Sequence, residues 1–298
     1  MRTFHAMTTE VAVAAPTLDD AGEQQLAEQV AALFEDTERR FSRFRHDSEL
    51  GRLNRATGPV AVSRELLALL AAAGRHVVNT DGVFDPAIGA ALRAAGYDRS
   101  FSSGALDRDA PVPAMPRARW SDVVIDETSR VVRRPPHVQL DLGGFLKGRT
   151  LDRAAALAPG NAMIDAGGDA VLRGAGPAGE GWRVDVEDPA DARRVLVTFR
   201  VRDGAVATSA PNRRRWRAGR AVAHHLIDPR TGLPSRSDLA QVTVTAPTAE
   251  RADVLAKVAF LRGARDAARL LDGPGLGGVL VANDGSLRVV GALEVTGA

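Results

Sequence analysis

The stretch that decides the fold is residues 138–148, VQLDLGGFLKG, where the sequence pattern changes sharply. Apolar and polar residues alternate over 138–142, which predicts a strand containing Asp141. Two glycines follow, and Lys147 opens a helix predicted to run to Leu157. Glycine N–H groups beside a helix N-terminus can bind a phosphate, but this spacing matches neither the Walker pattern nor the dinucleotide-binding fingerprint. On spacing alone, a strand-to-helix turn without a ligand is the better interpretation.

Strand and helix signals on either side predict an α+β fold, with mixed or antiparallel sheets packed against helices. We predict one domain over residues 1–298, with two closely packed lobes as an open alternative. N-cap and glycine signals predict helices over 20–41, from Ser63 to near Asp81, over 249–261 and over 265–271. Period-two patterns predict strands over 11–14, 123–125 with 131–132, 163–164, 182–186, 195–201, 225–227, 242–245 and 278–281. Residues 100–119 are predicted to form an irregular surface segment.

Composition excludes several classes of site. The chain has no cysteine, which rules out disulfides, thiolate zinc sites, iron–sulfur clusters and a cysteine nucleophile. A net charge of only +2 gives little support for nucleic-acid binding. Lys147 and Lys257 are the only lysines among 39 basic residues, so each lysine is an unusual choice. With no signal-like segment and no apolar run of about 20 residues, we expect a cytoplasmic protein without a membrane span.

Residues 224–232, HHLIDPRTG, form the most suggestive polar motif. The strand predicted over 225–227 would place His225 and Ile227 on one face. Histidine can act as a general base near neutral pH, and Asp228 can orient it or bind a cation. The alternative is an ordinary β-turn.

Four weaker motifs remain, and none of them indicates a function alone. Residues 165–169, DAGGD, are typical of a turn at a strand end. Asp253 and Lys257 are four residues apart on a helix, where a surface ion pair is the simplest interpretation. Residues 82–86, GVFDP, suggest an exposed carboxylate, and residues 41–44, FSRF, add aromatic rings.

Taken in this order, the motifs resemble those of the FAD:protein FMN transferase (ApbE) family. The likeness runs from about residue 7 to 263, and no single motif decides it. The matching segments are 41–54 (FSRFRHDSELGRLN), 82–89 (GVFDPAIG), 141–152 (DLGGFLKGRTLD), 165–169 (DAGGD), 208–209 (TS), 224–232 (HHLIDPRTG) and 252–253 (AD).

The resemblance implies a T-fold-related architecture and an enzyme that uses Mg²⁺. Such an enzyme moves FMN from FAD to a Thr or Ser hydroxyl of an acceptor protein and releases AMP. The family's catalytic base corresponds to His225. Its metal site corresponds to the carbonyl of Gly144 and to Asp253, Ala256 and Lys257. Its flavin or nucleotide contacts correspond to Met7, Phe44, Val83, Phe84, Asp85, Asp141, Lys147 and Leu226.

Departures from the family pattern keep two alternatives open. Thr8 and Ala210 stand where the family has glycine, and Lys257 stands where it has a metal-ligating hydroxyl. A protonated lysine has no acceptor and cannot ligate Mg²⁺, which favours an FAD-binding protein without transfer: a flavin carrier, a sensor or an FAD pyrophosphatase. The other alternative is an unrelated protein that binds acidic polymers through residues 213–217, RRRWR, although such clusters are more often solvated turns.

Overall fold

The computed structural model describes residues 1–99, 106–113 and 115–297, which form two compact units. Unit 1 comprises Met1–Asp36, Phe145–Ala210 and Ser237–Ala298, and unit 2 comprises Thr37–Gly144 and Pro211–Arg236. The helices are α1 (Asp20–Phe41), α2 (Glu49–Arg55), α3 (Arg64–Asn79), α4 (Gly89–Ala95), α5 (Leu146–Ala155), α6 (Ala249–Arg262) and α7 (Ala264–Leu271). The assignment of all 298 residues to one domain stays a prediction.

Eighteen strands are present in the described part of the chain. They are β1 (Arg2–Ala6), β2 (Thr9–Ala14), β3 (Val60–Ala61), β4 (Val124–Asp126), β5 (Val131–Arg133), β6 (Ala162–Ala166), β7 (Ala170–Arg173), β8 (Trp182–Glu187), β9 (Val195–Val201), β10 (Gly204–Ser209), β11 (Arg215–Ala218), β12 (Ala221–His224), β13 (Ile227–Asp228), β14 (Leu233–Pro234), β15 (Leu239–Ala246), β16 (Gly277–Ala282), β17 (Leu287–Gly291) and β18 (Val295–Gly297).

Unit 1 is built on an eight-stranded sheet in the order β1-β2-β6-β7-β10-β15-β16-β17. Every neighbouring pair in this sheet is antiparallel. Helix α6 packs on β10 and β15, and α5 packs on α6. A second sheet, β18-β9-β8, shares an apolar core with the first that includes Trp182 and Phe199. The α+β architecture with antiparallel sheets is therefore confirmed.

Unit 2 combines helices α2, α3 and α4 with three small antiparallel sheets, β3-β5-β4, β11-β12 and β13-β14. Its aromatic core contains Tyr97 and Trp216, both about 4% exposed, with Phe44 packed against it. The indole N–H of Trp216 donates to the carbonyl of Ala95 at 2.7 Å. Trp216 is thus a core residue, so residues 213–217 offer no exposed aromatic ring on which a base could stack.

Helix caps and the hairpin are confirmed as the sequence predicts them. The Ser63 hydroxyl accepts from the Leu66 N–H at the start of α3, and the Thr248 hydroxyl accepts from the Arg251 N–H at the start of α6. Gly263 ends α6, and β4 pairs with β5. Part of the irregular segment predicted over 100–119, namely 100–105 and 114, lies outside the described residues.

The strand predicted over 138–142 is wrong. Its backbone forms a single bridge, between Gln139 and Ile88, although the alternation of burial is as expected. The side chain of Asn54 takes the place of a neighbouring strand, because its amide donates to the Leu140 carbonyl and its oxygen accepts from the Leu140 N–H, both at 2.8 Å. A side chain distant in sequence therefore satisfies both backbone groups of Leu140.

The strand predicted over 225–227 is also wrong. Strand β12 ends at His224 and β13 begins at Ile227, which leaves His225 and Leu226 in a break. The Leu226 N–H donates to His224 Nδ1 at 3.2 Å, and the Leu226 carbonyl accepts from the Ser235 N–H at 2.9 Å. His225 and Ile227 consequently do not share a strand face.

None of the helices in the described residues combines the length and the apolar character that crossing a membrane requires.

Candidate active site

Both lysines of the chain lie in one group of charges in unit 1, which we call the lysine cluster: Lys147, Lys257, Asp165, Asp169 and Asp253. Lys147 lies in the first turn of α5, and its Nζ is 2.8 Å from Asp169 Oδ2 and 3.0 Å from the Ala166 carbonyl. Lys257 forms an ion pair with Asp253 one turn earlier on α6. The interpretation of residues 253 and 257 as a solvated surface pair is wrong for the carboxylate, because Asp253 is buried.

The carboxylates of the lysine cluster hold the ends of three strands in place. Asp169 Oδ1 accepts from the Thr208 N–H at 3.0 Å, which ties the start of β7 to β10. Asp165, at the end of β6, accepts from the Gly168 N–H at 3.2 Å. Burial raises the pKa of Asp165, while the N–H of Gly168 and the Lys147 ammonium oppose that shift. The DAGGD turn is thus a hydrogen-bonded loop whose carboxylates lie near Lys147.

A close approach of two helices positions Asp253. A Cβ at Gly148 would lie 2.3 Å from the Ala249 carbonyl oxygen, so only glycine allows α5 to approach the start of α6 this closely. The Gly148 N–H donates to Asp253 Oδ2 at 3.3 Å, and Lys257 engages Oδ1. Burial raises the pKa of Asp253, and the ammonium of Lys257 opposes that shift.

These contacts do not fit a Mg²⁺ ion at Asp253. Mg²⁺ requires near-octahedral oxygen ligands, whereas the Lys257 ammonium lies against Asp253 Oδ1 and its positive charge opposes a second cation there. Ala256 has no side-chain oxygen, and Lys257 has no acceptor atom. Among residues 1–99, 106–113 and 115–297, no three His, Cys, Asp or Glu side chains are grouped so as to hold a metal ion.

The turn between β1 and β2 carries Met7 and Thr8, with φ of 48° and 66°. A two-residue hairpin with positive φ at both central positions is the geometry of a type I′ turn, which normally selects Asn or Gly. Thr9, next to this turn, leaves no room for a side chain at Gly167, because an added Cβ there would lie 2.0 Å from the Thr9 hydroxyl. The hairpin turn therefore lies against the DAGGD loop.

In unit 2, Asp141 is fixed by Arg43, which lies between the two aromatic residues of the FSRF motif. Arg43 forms an ion pair with Asp141, and the two side chains are 7% and 12% exposed. Asp141 Oδ1 also accepts from the Gly143 N–H at 2.6 Å, so this glycine N–H is directed at a protein carboxylate. The Arg43 guanidinium lies 4.0 Å from the centroid of the Phe44 ring, which meets Tyr97 edge-on at 5.2 Å.

Asp85 is buried, which corrects the expectation of an exposed carboxylate in GVFDP. Its oxygens accept from the Ala87 N–H at 2.8 Å and the Trp120 N–H at 3.1 Å. Burial raises the pKa of Asp85, and these two N–H donors oppose the shift. Phe84 beside it is also buried, whereas Val83 is half-buried.

The two adjacent histidines have different environments. His224 is buried, and its Nε2 donates to the Ser235 carbonyl at 3.1 Å while Nδ1 accepts from the Leu226 N–H. Burial lowers the pKa of His224. His225 is half-buried, and its Nδ1 lies 3.4 Å from the Arg214 carbonyl. A proton on Nδ1 directed at this carbonyl leaves the lone pair on Nε2.

Comparison with known proteins identifies the family of this chain. Residues 7–280 match the model of the ApbE family. A protein of Treponema pallidum (strain Nichols) named FAD:protein FMN transferase is 31% identical over 287 residues, which cover 88% of this chain and 78% of the relative. The chain belongs to the ApbE family.

Other relatives agree with the ApbE assignment. A Haemophilus influenzae protein with the same name is 28% identical and is matched over 83% of this chain and 76% of its own. The crystal structure of the ApbE protein of Thermotoga maritima superposes with a TM-score of 0.84 at 27% identity, over 97% of this chain and 96% of that one.

The site residues expected from the ApbE resemblance are divided between the two units. Unit 1 holds Met7, Lys147, Asp253 and Lys257, and the charged three belong to the lysine cluster. Unit 2 holds Phe44, Val83, Phe84, Asp85, Asp141, Gly144, His225 and Leu226. Leu226 is buried, and its N–H and carbonyl form the hydrogen bonds that fix the backbone after β12. Arg43 and Asp169 complete the ion pairs. Both lie in motifs visible in the sequence, but their pairings with Asp141 and Lys147 had no local signal.

Proposed function

We propose that this ApbE-family chain is an FAD:protein FMN transferase. The observation that carries the proposal is the match of residues 7–280 to the ApbE family, together with relatives named for this activity that cover most of the chain. The substrates are FAD and an acceptor protein with a Thr or Ser hydroxyl. The products are the flavinylated acceptor and AMP.

The reaction is a displacement at phosphorus. The acceptor hydroxyl oxygen attacks the phosphorus on the FMN side of the FAD pyrophosphate, and the bond from that phosphorus to the bridging oxygen breaks. AMP leaves with the bridging oxygen. His225 Nε2 takes the hydroxyl proton, a role supported by the position of its Nδ1 against the Arg214 carbonyl. Positive charge for the pyrophosphate comes from Lys147.

The remaining expected contacts bind and orient FAD. Phe44 contributes an aromatic face for a flavin or adenine ring, supported by its partial exposure beside Tyr97. Asp141, Val83, Phe84, Asp85, Met7 and Leu226 shape the remainder of the nucleotide site. The acceptor protein is a partner of this proposal, and no step depends on a metal ion because the contacts of Asp253 do not fit one.

The test is an assay with FAD and an acceptor peptide, read by mass spectrometry. We expect the mass of FMN on the peptide and release of AMP. His225→Ala should lower the rate by about 10²–10⁴ and leave the Kd for FAD nearly unchanged. His46→Ala, which removes an exposed histidine elsewhere in unit 2, is the matched control.

Two outcomes contradict the proposal in different ways. FMN and AMP released with an unmodified peptide would identify an FAD pyrophosphatase instead. A transfer rate unchanged in His225→Ala would remove this residue from the mechanism while leaving the transferase activity intact.

A further inference from the structure

In the two ion pairs of the lysine cluster, the carboxylate is more deeply buried than the ammonium. The side chains of Asp253 and Asp169 are 2% and 6% exposed, whereas those of Lys257 and Lys147 are 22% and 20% exposed. In each of these two pairs the lysine is the more accessible partner. The accessible side of each pair is therefore the side that can contact an anionic ligand, and Asp165 adds a third, half-buried carboxylate to the cluster.

The choice of lysine in these two positions is specific. All the other basic residues of the chain are arginine, and the only two lysines both neutralise buried aspartates here. An ammonium is a compact point charge with three donors, whereas a guanidinium is a wide planar fork. In shape and charge the ammonium is the closest side-chain analogue of a small cation.

At Asp253, the Lys257 ammonium lies against the carboxylate as a small cation would. Among the neighbouring charges, Lys257 acts on Asp253 most strongly, and Asp169 and Lys147 act on it as well. The position on Oδ1 that a metal ion would take is filled by Lys257, and Oδ2 is engaged by the Gly148 N–H. A metal ion on Oδ1 would have to displace the ammonium from a carboxylate that is buried.

We propose that the Lys257 ammonium replaces a divalent cation at Asp253, so that this chain binds FAD without Mg²⁺. The inference rests on the proposed function, because FAD is the pyrophosphate ligand it concerns. Lys257 and Lys147 together supply the positive charge that faces the phosphates.

The first experiment uses the unmodified chain and measures the Kd for FAD by flavin fluorescence, in EDTA and in excess Mg²⁺. We expect the same Kd in both solutions. A second measurement titrates Mn²⁺ into the protein without FAD and follows the electron paramagnetic resonance signal of the free ion, since Mn²⁺ binds the oxygen-ligand sites that take Mg²⁺. We expect no loss of signal.

Lys257→Thr tests the role of the ammonium directly. In EDTA, its Kd for FAD should rise by about tenfold or more, equivalent to about 1.4 kcal/mol, and Mg²⁺ should restore it. Arg251→Thr removes a positive charge from an exposed position on the same helix and should leave the Kd unchanged.

Removing one partner of a buried ion pair can prevent folding, so a second variant is needed. The double substitution Asp253→Asn with Lys257→Met removes both charges. It should weaken FAD binding equally in EDTA and Mg²⁺, because neither the ammonium nor a carboxylate for a metal is left. An affinity equal to that of the unmodified chain would overturn the proposal.

The outcomes separate this inference from the proposed function. FAD binding by the unmodified chain that requires Mg²⁺, or stoichiometric uptake of Mn²⁺, overturns the role of Lys257 and leaves the transferase proposal standing. Absence of FAD binding in both solutions overturns the transferase proposal itself, and this inference with it.

Discussion

Substitution of Gly148 by alanine tests the helix packing on which the lysine cluster depends. The added Cβ would lie 2.3 Å from the Ala249 carbonyl oxygen, 2.6 Å from its carbonyl carbon and 2.8 Å from the Glu250 Cα. Ordinary contact begins near 3.4 Å, so α5 and α6 must separate by about 1 Å. Both obstructing residues contribute backbone atoms, which cannot rotate away as a flexible side chain would.

The expected cost follows from two opposing effects. Overpacking that forces a backbone shift costs about 1–3 kcal/mol, and the upper end applies here because the obstruction is backbone. Alanine regains up to about 1 kcal/mol of helix propensity over glycine. The net expectation is a loss of about 2 kcal/mol in the free energy of unfolding, seen as a lower urea midpoint with an unchanged m value.

Gly160→Ala is the matched control. Gly160 is exposed, follows α5 in the same unit, and has nothing within 4 Å of an added Cβ. Its substitution should change the free energy of unfolding by less than about 0.5 kcal/mol. If Gly148→Ala were as stable as Gly160→Ala, the close approach of α5 to α6 would be refuted, and with it the contact between Gly148 and Asp253.

Three further predictions concern single side chains. Thr8→Gly should raise the free energy of unfolding by about 0.5–1 kcal/mol in urea titrations, because a β-branched residue at a φ of 66° is strained. Trp216→Phe leaves the Ala95 carbonyl without its buried donor, so thermal and urea unfolding should show a loss of about 1–3 kcal/mol. Burial lowers the pKa of His224 in the folded chain, so the unfolded chain takes up the proton first, and stability should fall as pH drops below about 6.5. His224→Gln should flatten that decline, and urea midpoints at about pH 7 and pH 5 measure it; an equal slope in both proteins would assign the decline to other groups.

The sequence was a good guide to elements whose signals are local. Ser63 and Thr248 begin their helices through their own hydroxyls, and Gly263 ends one, because a cap depends only on residues three or four positions away. The fold class followed from the succession of such elements. The strands over 138–142 and 225–227 were wrong for the opposite reason, since Asn54 and Ser235 satisfy those backbones from distant positions.

The same distinction applies to the candidate site. The motifs located Lys147, Asp141 and Asp253, because each stands in a recognisable local pattern. Their partners lie far away along the chain, as with Arg43 for Asp141, and no periodicity links such pairs. The contact that decides the fit of a metal, Lys257 on Asp253, is local, and the lysine itself was already visible as a departure from the family pattern.

The discontinuity of the two units has a consequence for synthesis on the ribosome. All of unit 2 has been made once residue 236 is added, whereas the large sheet of unit 1 still lacks β15, β16 and β17. Throughout the translation of Pro211–Arg236, β10 is an edge strand whose later neighbour does not yet exist. Exposed strand edges pair readily with other chains. The nascent polypeptide therefore carries an unpaired edge at β10 until β15 is made, and a pause between residues 209 and 239 would prolong the exposure of that edge.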